Sequence, residues 1–386
     1  MTETQGHAAS GFEKVADAFS ANFANSPELG AGFALYADGK LQVDLWGGIA
    51  DKTSGKAWDE QTLQLVFSTT KGAAAICVAR LVEARKLNYS DPVSMHWPEF
   101  AANGKRDITV AQVMSHQAGL AWAEAPLTID EILAVGPVVE ALADQAPLWE
   151  PGSTHGYHAV TYGWLAGELV RRIDGRSIGR YFADEVAGPL GLDFWIGLPE
   201  AEEARVSRLE PAPPPSDPAE LLLLMQMMGP GTPGFKALTM NGAILAFGLA
   251  QNPFNTRAFH ATEMPAANGI TNARSLAKMY AATVSDVDGG RVLGPAAMRA
   301  ATAEAVSGPD HCLVAETRFG MGFMLDNVTV PLLGHNAFGH AGAGGSLGQA
   351  DPDTGVGYGY VMNQMLGGIA GDPRTVRLND AVRACL

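Results

Sequence analysis

Apolar and polar residues recur along this chain in patterns that set strand-forming ends apart from a helical middle. Residues 11–24 place Phe12, Val15, Ala16, Phe19 and Phe23 at helical spacing, which predicts an amphipathic helix. Residues 32–36 and 41–46 are apolar-rich runs on either side of Asp38-Gly39, the pattern of a β-hairpin. After a polar stretch over 52–62, Leu63-Gln64-Leu65-Val66-Phe67 has strand character, and small and aliphatic residues then continue to Val82. That second run is apolar nearly all round a helical wheel. It predicts a buried helix reaching about Leu87, with Ser68 at its first turn.

From about 91 to 205 the patterning is mainly helical. Asp107-Ile108-Thr109-Val110 opens a short helix ending at Gly119, and residues 128–145 and 159–173 predict two longer ones. Residues 211–218, Pro-Ala-Pro-Pro-Pro-Ser-Asp-Pro, cannot be regular structure and predict a stiff surface excursion. The apolar run 221–228 follows, closed by Gly229-Pro230-Gly231, and helical patterning resumes over 237–249 and 271–284.

The last quarter turns to strands over 318–325, 337–341, 345–350 and 358–362, with a turn at 351–355. Asp372-Pro373 then caps a final helix to about Cys385. This order predicts an α+β fold of the α/β-sandwich type. An antiparallel sheet is built from both chain ends and flanked by helices, with a mainly helical domain inserted. The expected boundaries are 1–90 with 285–386 for the discontinuous sheet-and-helix domain, and 91–284 for the insertion. No internal repeat is present.

Composition adds exclusions. The chain has 386 residues, 47% hydrophobic and 17% charged, as in an ordinary globular protein with ample core. A formal net charge of −15 argues against nucleic acid and anionic membrane surfaces as partners. Cys77, Cys312 and Cys385 are odd in number and far apart, so no disulfide framework is expected. Residues 1–10 show no basic and apolar leader pattern, and no apolar run approaches a membrane span, so a cytoplasmic location is expected.

Candidate chemistry centres on Ser68 and Lys71. Side chains three apart on a helix lie about 5–6 Å apart at Cβ, close enough for an amine to reach a hydroxyl. Lysine serves as a base only when neutral, and burial together with a helix N-terminus lowers its pKa. The same helix end offers free N–H groups, that of Ser68 among them, to an oxyanion. A second Ser-x-x-Lys, Ser275 to Lys278, is set aside as structural because Ser275 is expected several residues into its helix.

Tyr157 stands between the Pro151-Gly152 turn and a helix start, where a phenol near Lys71 would help protonate a leaving group. A packing tyrosine is the other reading. His340-Ala341-Gly342-Ala343-Gly344-Gly345 suggests a strand on which substrate or backbone can approach closely. Its readings are a cleft-edge His340 with an Ala343 N–H in an oxyanion hole, or a glycine-rich edge strand with one exposed histidine.

Phe67-Ser68-Thr69-Thr70-Lys71-Gly72, Tyr157 with Gly163, and His340-Ala341-Gly342 together resemble the three motifs of the serine β-lactamase-like family. The branch most similar is that of family VIII carboxylesterases, related to class C β-lactamases and D-alanyl-D-alanine carboxypeptidases. Residues 108–120 and 268–274 are also family-like, and the resemblance spans about 10–385. It implies Ser68 as nucleophile, Lys71 with Tyr157 as the acid–base pair, and the backbone N–H groups of Ser68 and Ala343 as oxyanion hole. It further implies His340 and Gly342 on the substrate-binding strand, with no cofactor and no metal.

Two departures bear on substrate. The β-lactamase branch has Tyr-x-Asn where this chain has Tyr157-His158-Ala159, and Lys-Thr-Gly where it has His340-Ala341-Gly342. A cationic lysine suits a substrate carboxylate, whereas histidine is largely neutral at pH 7. The expectation is a serine carboxylesterase for short-chain, uncharged small-molecule esters. The 221–228 run and the loops around Phe254 and Phe259 are candidates for an acyl-pocket wall or for ordinary packing.

Rival readings are a β-lactamase or D-aminoacyl peptidase on the same fold, and a non-catalytic binding protein. Gly344-Gly345-Ser346-Leu347-Gly348 matches the nucleophile elbow of α/β-hydrolases. It lacks the strand–turn–helix context and a later histidine, so it is expected to be a decoy. Neither His155-x-x-His158 nor His335 with His340 has a carboxylate at ligand spacing, which disfavours a metal hydrolase.

Overall fold

The computed structural model describes residues 3–215, 217–245, 252–368 and 371–386. In chain order its strands are β1 (Thr4–Ala8), β2 (Gly30–Ala37), β3 (Lys40–Asp51), β4 (Lys56–Ala57), β5 (Gln64–Leu65), β6 (Phe194–Trp195), β7 (Ile270–Thr271), β8 (Val306–Pro309), β9 (Glu316–Phe319), β10 (Met324–Leu325), β11 (Phe338–Ala341), β12 (Leu347–Asp351) and β13 (Val356–Met362). Helices α1 (Glu13–Asn25) and α2 (Thr70–Glu83) precede a helical stretch. It holds α3 (Val93–His96), α4 (Val110–Met114), α5 (Ile129–Leu133), α6 (Gly136–Asp144), α7 (Thr161–Asp174), α8 (Ile178–Phe182), α9 (Gly188–Leu190), α10 (Pro218–Met228), α11 (Pro233–Thr239), α12 (Arg257–Ala261) and α13 (Ala273–Val284). The chain closes with α14 (Pro295–Thr302) and α15 (Pro373–Arg383).

Ten strands form one antiparallel sheet in the order β1-β3-β2-β13-β12-β11-β10-β9-β8, with β4 on β3, while β5-β7-β6 make a small second sheet. The Asp38-Gly39 hairpin is β2–β3, and its two turn residues hold φ of 50° and 71°, as a two-residue turn between twisted strands requires. β13 returns from the far end of the chain to pair with β2, Gly359 opposite Ala34. The sheet shared by both ends is therefore present.

Alternation along β13 explains how both faces are covered. Tyr358, Tyr360 and Met362 join Val15, Phe19, Leu378 and Val382 in a core beneath α1 and α15. On the opposite face a Cβ at Gly357 would lie 2.3 Å from the Ala281 backbone nitrogen, and one at Gly359 2.7 Å from the Ala273 carbonyl. α13 thus packs directly on strand backbone, and bare glycines make that approach possible.

α2 is the central helix. Between Thr70 and Leu81 every residue but Arg80 is buried, as its all-round apolar wheel predicts. It ends at Glu83 rather than Leu87, where Arg85 leaves the helix with φ of 57°.

Other boundaries moved for local reasons. The helix expected over 128–145 breaks into α5 and α6 at Val135, φ 66°, because Pro137 follows two residues later and cannot extend a helix from before it. The strand expected over 318–325 divides into β9 and β10 around Gly322, φ 89°. The helix expected over 237–249 begins earlier, as α11, and stops at Thr239, where Met240 holds φ of 49°; residues 246–250 lie outside the described residues. The edge strands β1 and β8 carried no apolar alternation to announce them.

Candidate active site

Four residues connect β5 to α2 and form the turn that carries Ser68. Phe67, immediately before it, holds φ of 45°, a left-handed conformation rare for an aromatic side chain. Surrounding structure enforces it. Val66 N–H donates to the Gly269 carbonyl at 2.9 Å, and Gly269 N–H donates to Thr70 Oγ1 at 2.8 Å. The Phe67 ring packs 4.9 Å from Phe254, which packs 4.9 Å from Phe259. Phe254 and Phe259, candidates for an acyl-pocket wall, are both buried and brace the serine turn instead.

Lys71 is one helical turn on from Ser68 and wholly buried. Its Nζ lies 3.3 Å from Ser68 Oγ, and it donates to the Ala159 carbonyl at 2.6 Å and the Ala266 carbonyl at 3.1 Å. No carboxylate pairs with it among the described residues, and burial holds its pKa well below the ordinary lysine value. A free amine has two hydrogens and one lone pair. The two carbonyls take the hydrogens, and the lone pair is left facing the Ser68 hydroxyl. Asn268 supports this from behind, its side-chain amide donating to the Phe259 and Thr262 carbonyls and accepting from Met264 N–H, which shapes the loop that presents Ala266.

Tyr157 stands beside the same lysine, with Lys71 Nζ 4.6 Å from its ring centre. Burial pushes the phenol pKa up, so the hydroxyl keeps its proton at neutral pH. Tyr157 N–H donates to Asp310 Oδ1 at 3.0 Å, and the same oxygen accepts from Cys312 and Leu313 N–H.

His116 and His340 pack against the Tyr157 ring, with His158 and His155 close by in sequence, and burial lowers the pKa of all four. His340 is buried, which corrects the exposed and cleft-edge placements. Its Nδ1–H donates to the Ala341 carbonyl at 2.7 Å, which leaves Nε2 as a lone-pair acceptor. Burial and the nearby Lys71 push its pKa down to about 3. His158 is locked by donating Nδ1–H to the Gly156 carbonyl and accepting Leu120 N–H on Nε2, and its pKa is pushed down to about 4 by burial. His116, φ 65°, accepts His158 N–H on Nδ1 and packs 5.0 Å from the Tyr157 ring. His155 Nε2 lies 2.8 Å from Thr317 Oγ1.

The facing side of the cleft comes from the end of β11. Gly342 closes on the serine turn so tightly that a Cβ there would stand 2.2 Å from both Ser346 Oγ and the Val66 carbonyl. Ser346 Oγ donates to that carbonyl at 2.9 Å and lies 3.0 Å from Thr69 Oγ1. Ser346 is wholly buried, so the elbow-like Gly-x-Ser-x-Gly is a structural clamp. Neither Ser68 N–H nor Ala343 N–H has an acceptor among the described residues.

Two expectations are corrected. Ser275 lies in the first turn of α13, not several residues in; Asn272 caps its N–H at 2.8 Å and its Oγ accepts from Asp193 N–H. It remains structural, for a different reason. The 221–228 run lies in α10, with Leu222 60% and Met225 61% exposed, so those side chains face solvent among the described residues. Sequence reasoning missed His116, Asp310, Asn268 and the Ala159 and Ala266 carbonyls. The family-like stretches 108–120 and 268–274 contain His116 and Asn268 without assigning them.

The beta-lactamase family model matches residues 19–381. The chain belongs to that family. It is a serine hydrolase by that membership. It is 34% identical over 367 residues to the Mycobacterium tuberculosis protein "Esterase/beta-lactamase LipL", covering 92% of this chain and 82% of that one. A crystal structure of a family VIII carboxylesterase is similar over the full length of both chains, with 38% identity and a TM-score of 0.88. A penicillin-binding protein homologue from Caulobacter crescentus is similar over the full length of both chains, with 39% identity and a TM-score of 0.86. Among the described residues no helix is long and apolar enough to cross a membrane.

Proposed function

We propose that this family member is a serine carboxylesterase acting on short-chain, uncharged small-molecule esters through an acyl-enzyme. The observation that carries the reading is the buried Lys71 amine, held by two carbonyls with its lone pair toward Ser68. Ser68 Oγ attacks the ester carbonyl carbon as its proton passes to Lys71 Nζ. The resulting oxyanion faces the free N–H groups of Ser68 and Ala343. Collapse breaks the bond to the alkoxide, which takes the Tyr157 proton while Tyr157 takes that of Lys71. Water then repeats the sequence on the acyl-enzyme, and Ser68 recovers its proton. A phenol held protonated by burial suits such a relay.

Substrate charge is argued from His340. Buried with its ring centre 6.0 Å from that of Tyr157, it sets a neutral ring rather than a cation beside the site, which supports uncharged esters over anionic lactams. The similar structure named as a family VIII carboxylesterase supports the same choice. A β-lactam-directed or D-aminoacyl peptidase activity is the second reading, favoured by the 39% identity to the penicillin-binding protein homologue. A small set of p-nitrophenyl esters measured beside a chromogenic cephalosporin separates them.

Fluorophosphonate labelling followed by peptide mass mapping tests the mechanism. Label on Ser68 is expected. Label on Ser346, or none with ester hydrolysis absent, would overturn it.

A further inference from the structure

The turn that presents the Ala343 N–H is held from beneath by a buried ion cluster that the reaction scheme does not use. Arg374, in the first turn of α15, is wholly buried, and each of its five N–H donors has an acceptor. Nε donates to Asp372 Oδ1 at 2.9 Å, and Nη1 to Glu28 Oε1 at 3.0 Å and the Gln364 carbonyl at 2.9 Å. Nη2 donates to Asp372 Oδ2 at 2.8 Å and to the Gly344 carbonyl at 2.6 Å. Tyr360 closes the cluster with a hydroxyl hydrogen bond to Glu28.

Gly344 belongs to the oxyanion-side turn. Gly345 N–H donates to the Gly342 carbonyl at 3.1 Å and Gly342 N–H to the Ser346 carbonyl at 2.7 Å, which leaves Ala343 and Gly344 at the turn's centre. Gly345 holds φ of 126°, and a Cβ there would stand 2.4 Å from Arg374 Nη2 and 2.3 Å from Asp372 Oδ2. The guanidinium and its carboxylate fill the space a side chain would take. An apolar residue would fill such a place without the desolvation cost of an ion. A guanidinium with every donor committed has no freedom left to turn, so the carbonyl it holds is fixed with it.

We infer that Arg374 is a positioning residue for the proposed hydrolysis, setting the Gly342–Gly345 turn so that the Ala343 N–H faces the developing oxyanion. The inference rests on the serine-esterase reading above. Charge balance in the cluster agrees with it. Asp372 already neutralises the guanidinium, and burial pushes Glu28, which faces Arg374, Tyr360 and Asp372, up to about 7.

The test is made on the full chain with active sites counted by fluorophosphonate on Ser68. For Arg374→Lys, kcat per labelled site should fall about ten- to a hundredfold with KM changed by less than about twofold. Affinity for a boronic acid, which forms a tetrahedral adduct, should fall in parallel. Asp372→Asn, at the solvent edge of the cluster, should show a smaller loss of the same kind. A purely structural role lowers the melting temperature and the number of labelled sites while leaving kcat per site at the wild-type value, and that result overturns the inference. If Arg374→Lys does not fold, unchanged kcat per site in Asp372→Asn overturns it equally. Absence of label on wild-type Ser68 overturns the esterase reading, and this inference with it.

Discussion

Thr69 and Ser346 bring their hydroxyls within 3.0 Å across 277 residues of sequence. Ser346 spends its single hydrogen on the Val66 carbonyl, so the Thr69 hydroxyl donates to Ser346. The pair ties the serine turn to the strand that faces it. Ser346→Ala leaves the Val66 carbonyl and the Thr69 hydroxyl without that partner. It should cost about 1–3 kcal/mol by chemical denaturation. Fluorophosphonate should still label Ser68, and loss of the label would return Ser346 to contention as nucleophile.

Lys71→Ala should lower kcat/KM by about 10²–10⁴-fold, and Tyr157→Phe by a factor in the same range, since each removes a proposed proton-transfer partner. Steady-state kinetics on a p-nitrophenyl ester measures both. A Tyr157→Phe variant within about threefold of wild type, below that range, would show that the phenol is packing only.

The pH dependence of stability carries a sign. Lys71 is held below its unfolded pKa, so the unfolded chain binds more protons there, and its share of stability grows as pH rises toward 10.5. The melting temperature of wild type minus that of Lys71→Ala should therefore increase between pH 6 and pH 9, whatever its value at either end. A constant or shrinking difference would mean that the amine is charged in the fold.

Gly342→Ala places a methyl 2.2 Å from the Val66 carbonyl, a backbone atom that the serine turn holds in place. Overpacking of this kind costs about 1–3 kcal/mol. The site itself must shift to admit the methyl, so turnover should fall further than the melting temperature suggests. Kinetics and calorimetry on the same preparation distinguish the two effects.

Leu222→Ala and Met225→Ala should leave acyl-chain preference as it is, because both side chains face solvent on α10. Rates across a series of p-nitrophenyl esters from acetate to octanoate check this. A shift in the optimum would mean that α10 folds over the bound acyl chain.

The sequence made the hairpin, the central helix and the shared sheet readable because each is written locally, in a turn pair, an apolar wheel and alternating strands. Ser68 and Lys71 were readable for the same reason, being one helical turn apart. What holds them was not. The Ala159 and Ala266 carbonyls are backbone atoms from distant loops, and any residue type supplies a carbonyl. Phe67's left-handed backbone leaves no mark in a sequence of ordinary residues. His340 was placed at a surface because a lone histidine beside glycines carries no sign of what will cover it. The apolar run at 221–228 misled in the other direction, since hydrophobic content alone does not say which faces are covered.

The candidate site draws its serine from residue 68 and the turn facing it from residues 342–345, held by Thr69–Ser346 and by Arg374. During synthesis Ser68 and Lys71 leave the ribosome long before the turn that faces them. On the proposed reading the nascent chain thus carries an incomplete site through most of translation, and the site is completed with the final quarter, when the sheet closes.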